Sequence, residues 1–221
     1  VLLSYYIAAI NIEAVFDEIN GDEPYTPFEG IVLTDTFEST ETEDTLDDSF
    51  FGTNDRRLKR QQEKPITAII GNPPYSIGQN SQNDNNQNVS YPKLDTRLAE
   101  TYVAKSNAGL TKGLYDSYVK AFRWASDRLT NQGVIGFVTN GGYLNSNSTD
   151  GLRAGLYEDF NHLYIFNMRG NALGLGEIRK KEGGNVFGAG TRTSVAISIL
   201  VKDGSNTHEL HYYDIGDYLS Q

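Results

Sequence analysis

The spacing of apolar residues changes period several times along the chain, and each change marks an expected element. Leu2, Leu3, Tyr6, Ile7, Ile10 and Ala14 recur at helical intervals and predict an amphipathic helix from residue 1 to about 18. Gly21, Pro24 and Pro27 end it in a loop. Gly30 to Thr34, with Ile31-Val32-Leu33 at its centre, reads as a strand that delivers Asp35 to its carboxyl end. Residues 36 to 64 are polar and charged, with a short helix expected from Asn54 to Glu63. Ile66-Thr67-Ala68-Ile69-Ile70, bounded by Pro65 and Gly71, has the composition of a strand covered on both faces. From Ser76 to about Lys112 the chain is rich in Asn, Gln and Ser and predicts a long polar loop placed to close over a ligand or to be a disordered insert. Leu114, Tyr118, Phe122, Ala125 and Leu129 then step by four and three, which predicts a helix stopping near Gly133. Val134 to Thr139 reads as a buried strand that turns at Asn140-Gly141-Gly142, and Thr149 and Asp150 cap a helix to about Phe160. Three strands follow, around His162 to Met168, Thr193 to Val201 and His208 to Tyr213. Glycines and basic residues fill 169–190. Alternating strands and helices, followed by strands in succession, predict an α/β fold: a mostly parallel sheet with an antiparallel edge.

Composition narrows the setting. The 221 residues suffice for one sizeable domain, and no apolar run is long enough to span a bilayer. With no cysteine, disulfides and thiolate metal sites are excluded, and the expected setting is reduced and cytoplasmic. The net charge of −10 is unlike a free-standing nucleic-acid binder. Acids gather at Asp35, Glu38, Glu41, Glu43, Asp44, Asp47 and Asp48, which reads as a solvated face. Basic residues gather at Arg56, Arg57, Lys59 and Arg60, and again at Arg179, Lys180 and Lys181. The chain starts at Val1 within a helical pattern, and Met168 is its only methionine, so it reads as a piece cut from a longer protein.

The chemistry concentrates in Gly71-Asn72-Pro73-Pro74-Tyr75. The two prolines fix φ and hold the residue before each in an extended state, so Asn72 has no helix to join. The Asn72 side-chain carbonyl and the Pro73 carbonyl are then available as two acceptors, with the Tyr75 ring beside them. A planar amine fits between the acceptors and against the ring. An amine conjugated with a ring or carbonyl is a poor nucleophile, because its lone pair is delocalised. Two fixed acceptors on its hydrogens localise that pair without a strong base.

This loop resembles the catalytic motif of S-adenosylmethionine-dependent amino-methyltransferases. Longer phrases extend the resemblance over most of the chain: Tyr5-Tyr6-Ile7-Ala8-Ala9-Ile10-Asn11-Ile12-Glu13, Leu114-Tyr115-Asp116-Ser117-Tyr118, Ala121-Phe122-Arg123-Trp124-Ala125-Ser126-Asp127-Arg128, Val138-Thr139-Asn140-Gly141-Gly142 and Arg179-Lys180-Lys181-Glu182-Gly183-Gly184. Together they resemble the gamma class of DNA adenine N6-methyltransferases, in the form found in single-polypeptide, type ISP, restriction–modification enzymes. The resemblance implies a Rossmann-like methyltransferase fold, incomplete at the N-terminus, with 1–221 a partial catalytic domain. It implies that Asn72, Pro73 and Pro74 hold the target amine and that Tyr75 stacks on the base. Phe187 is implied as the second aromatic to close on that base, or else is an ordinary loop aromatic. Asp35 and Tyr118 are implied in the pocket for S-adenosylmethionine, although Tyr118 fits a core position equally well. Arg179, Lys180 and Lys181 are candidates for DNA phosphate contact, or else a solvated loop.

The sequence departs from the family in lacking the glycine-rich cofactor loop and the acid for the ribose hydroxyls. Both are expected upstream of Val1, so the 221 residues alone are expected to bind S-adenosylmethionine weakly. A target-recognition domain is expected after Gln221, and a helicase and nuclease upstream, with double-stranded DNA as partner. The loop by itself does not select the substrate: enzymes acting on protein glutamine or RNA guanine carry it too, and a non-catalytic spacer module is the other alternative. No metal site is expected. His208 and His211 stand three apart in a strand, on opposite faces, and Gly170, Gly174 and Gly176 lack the strand-to-helix context of a dinucleotide loop.

Overall fold

The computed structural model describes residues 2–21, 23–41, 48–74, 89–172, 174–184, 186 and 193–219. It comprises two compact units, Val1–Pro65 and Ile66–Gln221.

The first unit carries α1 (Leu2–Asn20) and α2 (Asp48–Glu63). Helix α1 forms where the periodicity places it, yet none of its residues is buried; Leu3, Ile10 and Ile19 stay exposed. Phe16 packs its ring against Phe28, 5.2 Å between ring centres. The strand expected over Gly30 to Thr34 does not form. The Leu33 amide donates to Asn54 Oδ1 at 2.8 Å and the Leu33 carbonyl accepts from Asn54 Nδ2 at 2.9 Å. A side-chain amide on α2 thus satisfies the backbone groups that a strand ladder would otherwise use.

The second unit is built on β1 (Ile66–Gly71), β2 (Leu129–Asn140), β3 (His162–Arg169), β4 (Val195–Lys202) and β5 (Glu209–Asp214). Their order across the sheet is β1-β2-β4-β3-β5. β1 is parallel to β2 and β3 to β5, whereas β4 is antiparallel to both β2 and β3. Four strands therefore run one way, as the mostly parallel expectation requires. The reversed strand lies inside the sheet rather than at its edge. The connection from β2 to β3 skips one strand position, and β4 fills the gap with a complete ladder on each side.

Helices α3 (Pro92–Thr101), α4 (Ser117–Arg128) and α5 (Asp150–Asp159) build the core with the inward strand residues. Phe122 of α4 packs against Phe137 of β2 and Tyr143, at 5.3 and 5.7 Å between ring centres. Ile135, Leu200, Leu152 and Phe160 are fully enclosed around them. Buried Arg123 ties α4 to α5 by bonding Asp159 Oδ2 at 2.8 Å and Asp127 Oδ1 at 2.7 Å. α3 corrects the polar-loop reading of 76–112. Pro92 opens it, Leu94 and Leu98 bury one face four residues apart, and buried Tyr102 follows. The residues 75–88 at the start of that loop lie outside the described residues.

Among the described residues, several on the opposite face of the sheet are exposed. Register aligns Ile70, Gly136, Ile199, Tyr164 and His211 in one row across all five strands. Ile70 is 89% exposed, and Ile199 and Tyr164 are 44% exposed each. β1 is a rim strand and is not covered on both faces as its apolar run suggested.

Asp150 makes the α5 entry pH-dependent. Its Oδ1 accepts from the Ser106 hydroxyl, and its Oδ2 accepts from the Asn107 amide at 2.8 Å. The Ser106 hydroxyl, then the Asn107 amide, hold its carboxyl below the ordinary 3.8. A lowered folded value adds stability that is fully present above 3.8 and fades as pH falls through the folded value. Asp150→Asn is therefore expected to lower the melting temperature at pH 7, with the gap to wild type narrowing as pH falls below 3.8. Melting curves across that range test it; a constant gap would reject it.

Candidate functional site

Strand direction gathers one set of loops at one end of the sheet. Gly71 at the end of β1 pairs with Phe137, three residues before the end of β2 at Asn140. Asn140 pairs with Val195 at the start of β4, and Val195 pairs with Arg169 at the end of β3. Asn72-Pro73-Pro74, the Asn140 turn, the 170–194 connection and the end of β5 therefore share the carboxyl edge. Open α/β sheets bind ligands at that edge.

The diproline corner is not packed inside. Asn72 and Pro74 are exposed and Pro73 is half-buried. Gly71 is needed just before it: a Cβ there would meet the Phe137 ring at 3.2 Å. Tyr75 lies outside the described residues, as does Phe187.

The neighbouring turn is held rigidly. Asn140 Oδ1 accepts from the Gly142 amide at 2.8 Å, and the Gly141 amide donates to the Ser194 carbonyl at 2.8 Å. A Cβ on Gly141 would meet Ser194 Oγ at 3.0 Å and the Val195 backbone at 3.1 Å, so glycine permits this close approach. Beneath the turn, the Tyr143 and Ser198 hydroxyls share a 2.7 Å hydrogen bond. Burial pushes the Tyr143 phenol up to about 12, against the opposing effect of Ser198, so it stays neutral. Arg153 fastens the far side, donating to the carbonyls of Tyr143 at 2.6 Å and Ser146 at 2.8 Å. The sequence singled out Asn140 to Gly142 as a phrase; the Arg153 and Ser198 supports come from other elements and carry no local signal.

The other expected site residues fall differently. Tyr118 is only 1% exposed, its ring 6.4 Å from that of Tyr143 and its phenol raised by burial. Among the described residues it occupies a core position. Asp35 belongs to the first unit and is exposed; its Oδ1 accepts from the Phe37 and Glu38 amides at 2.9 and 3.2 Å, the turn-forming arrangement for an aspartate. Arg179, Lys180 and Lys181 lie on the short, exposed helix α6 (Glu177–Lys181) at the carboxyl edge. Lys180 approaches Glu177 at 3.8 Å and Lys181 approaches Asp217 at 3.5 Å.

Sequence reasoning missed Arg169. At φ 58 it has left-handed backbone, which costs a non-glycine residue about 1 kcal/mol or more. Its amide donates to Asn167 Oδ1 at 3.0 Å, and its guanidinium bonds Asp214 Oδ1 at 2.6 Å and Asp217 Oδ1. This clamp joins the ends of β3 and β5 at the same edge as Asn72.

The carboxyl edge thus offers exposed acceptors on a stiff corner, a braced turn beside them and a basic helix nearby. The fold carrying it has solved relatives. Over its whole length the chain superposes on part of a nuclease-deletion mutant of the type ISP restriction–modification enzyme LlaGI in complex with a DNA substrate mimic, with 68% identity and a TM-score of 0.94, over 18% of that chain. It matches the ATP-dependent type ISP enzyme LlaBIII bound to DNA at 54% identity and TM-score 0.90, over 15% of that chain. A DrdV–DNA complex matches at 43% identity and TM-score 0.88, over 21% of that chain. The chain therefore spans about a fifth or less of the length of these relatives. A comparison with curated proteins gives no match. The model of the Eco57I restriction–modification methylase family matches residues 4–172, three-quarters of the chain. On that match, and on an acceptor corner at the ligand-binding edge of an α/β sheet, the chain belongs to the Eco57I restriction–modification methylase family.

Proposed function

We propose that this chain supplies the target-amine half of a DNA adenine N6-methyltransferase that uses S-adenosylmethionine within a restriction–modification protein of the cytoplasm. The observation that carries the reading is the Asn72-Pro73 corner at the carboxyl end of β1, with Asn72 exposed and Pro73 half-buried. Its acceptors suit an NH2 group held in a plane. The relatives solved with DNA, or with a DNA mimic, favour DNA as the substrate polymer.

In this mechanism adenine leaves the duplex at a cost of a few kcal/mol. Tyr75 and Phe187 replace the lost stacking, worth about 1–3 kcal/mol per base. Asn72 Oδ1 and the Pro73 carbonyl accept the two N6 hydrogens and raise electron density on nitrogen. S-adenosylmethionine, when bound, supplies an electrophilic methyl group. Among the described residues Asp35 offers an exposed carboxylate suited to accept from an adenine amine, whereas Tyr118 is enclosed. Further cofactor groups belong to other parts of the same polypeptide in this reading, as do target recognition and DNA cleavage. Arg179, Lys180 and Lys181 contact phosphate, which positions DNA without reading its sequence.

The test is product identity. The intact polypeptide that carries these residues, given duplex DNA and methyl-labelled S-adenosylmethionine, is expected to yield N6-methyldeoxyadenosine on digestion to nucleosides. Label on cytosine, on protein or on RNA, or no transfer at all, would overturn the adenine assignment.

A further inference from the structure

The parallel pairing of β3 and β5 sets His162 beside Glu209 and Tyr164 beside His211, all on one face of the sheet. Glu209 Oε2 lies 3.3 Å from His162 Nδ1 and 3.3 Å from His211 Nε2. One ligand atom from each of the three residues falls within 4.8 Å of the other two. Two donors about 2.0–2.1 Å from a tetrahedral ion stand about 3.3 Å from each other. The two Glu209–imidazole spacings are therefore those of a coordination shell, and a small rotation of the exposed His211 ring brings its nitrogen to the same spacing from His162.

The surroundings orient both imidazoles. His162 Nε2 faces Asp203 Oδ2 at 2.9 Å. Asp203 is itself fixed, its Oδ1 accepting from the Ser205 amide at 2.8 Å and its own amide donating to Asn161 Oδ1 at 2.9 Å. A proton on Nε2 shared with Asp203 leaves the Nδ1 lone pair directed at Glu209. A carboxylate behind a ligating histidine commonly sets that tautomer. His162 Nδ1 is shielded from solvent and faces Glu209 Oε2. The His211 ring is stacked on Tyr164, 4.7 Å between centres and 9° from parallel.

We propose that His162, Glu209 and His211 form a binding site for a borderline divalent transition-metal ion of the Zn2+ type, with water completing the shell. Two imidazoles and one carboxylate suit that class, whereas Mg2+ and Ca2+ require oxygen donors. The site is remote from the chemistry. His211 shares a row with Ile70, two residues before Asn72, but stands four strands away, so about 19 Å of sheet width separates the two. Its effect is on the fold: the ion cross-links rim strand β5 to β3.

The experiment is calorimetric titration of ZnCl2 into the intact polypeptide and its variants, with a thermal melt of each. Wild type is expected to bind one more ion per chain at micromolar Zn2+ than Glu209→Gln or His211→Ala. Asp203→Asn, which loses only the orienting carboxylate, is expected to weaken that ion by about tenfold or more. His208→Ala leaves it unchanged, because His208 Nδ1 is engaged by the Phe160 carbonyl at 2.8 Å. Millimolar Mg2+ does not compete. Equal Zn2+ stoichiometry in wild type and Glu209→Gln overturns the proposal. So does a wild-type Co2+ adduct without the absorption of a tetrahedral site, a readout that holds even if a variant fails to fold.

Discussion

Asn72→Ala is expected to lower the rate of methyl transfer by about 10²–10³-fold, the loss usual when one oriented partner of a developing charge is removed. The equivalent barrier is about 2.7–4 kcal/mol. Asn72 is exposed, so nothing in the core is disturbed, and stability should move by no more than about 0.5 kcal/mol. DNA affinity should hold too, since phosphate contacts dominate it. Asn72→Asp keeps an acceptor oxygen at the same place and is expected to retain much more activity than alanine does. Single-turnover methylation, read beside DNA binding and melting temperature, separates these effects. An alanine variant as fast as wild type would remove Asn72 from the mechanism and leave the fold assignment untouched.

The second large effect is structural. A Cβ on Gly151 would lie 1.9 Å from the Tyr102 carbonyl oxygen and 3.1 Å from Ser106 Cβ. The first of these is backbone and has no rotamer to escape into. Alanine in a helix is ordinarily favoured over glycine by about 1 kcal/mol. Here that gain is outweighed by displacement of α5 from Tyr102, a fully buried residue that also lies under the Arg123 guanidinium. Gly151→Ala is expected to cost about 3 kcal/mol or more, the upper part of the range for overpacking. For a domain of this size that lowers the melting temperature by about 6–12 °C. An unchanged or raised melting temperature would mean that α5 does not sit this close to Tyr102.

Elements with strong apolar patterns were legible from residues alone. The steps from Leu114 through Phe122 to Leu129 placed α4 within a few residues, the runs of β1, β3 and β4 fell within two residues of their observed bounds, and that of β2 was found except for its first five residues. Failures came where a partner outside the local window decided the outcome. Ile31 to Thr34 has strand composition, but Asn54 captures its backbone from 21 residues away. Helix α3 was hidden by the Asn- and Gln-rich stretch before it; the available signal was Pro92 followed by Leu94, Leu98 and Tyr102. Helix α4 begins at Ser117 because Asp116 accepts from the Tyr118 amide, and it gives way to β2 at Leu129, four residues before Gly133. At the site, the Asn72 corner was readable because prolines constrain φ wherever they occur. The His162, Glu209 and His211 cluster was not. His208 and His211 were compared within one strand, whereas the second imidazole comes from β3 and only the β3–β5 register brings it near.

The placement of β4 bears on how the protein is made. On a ribosome the chain emerges from its amino end, so β1, β2 and β3 appear before the strand that separates two of them. Until Lys202 has left the exit tunnel, β2 and β3 each present an unpaired edge toward the gap. Such edges recruit other chains. Nascent chains stalled before residue 195 should therefore depend on chaperones far more than chains released past 214, with protease resistance arriving abruptly once both ladders close.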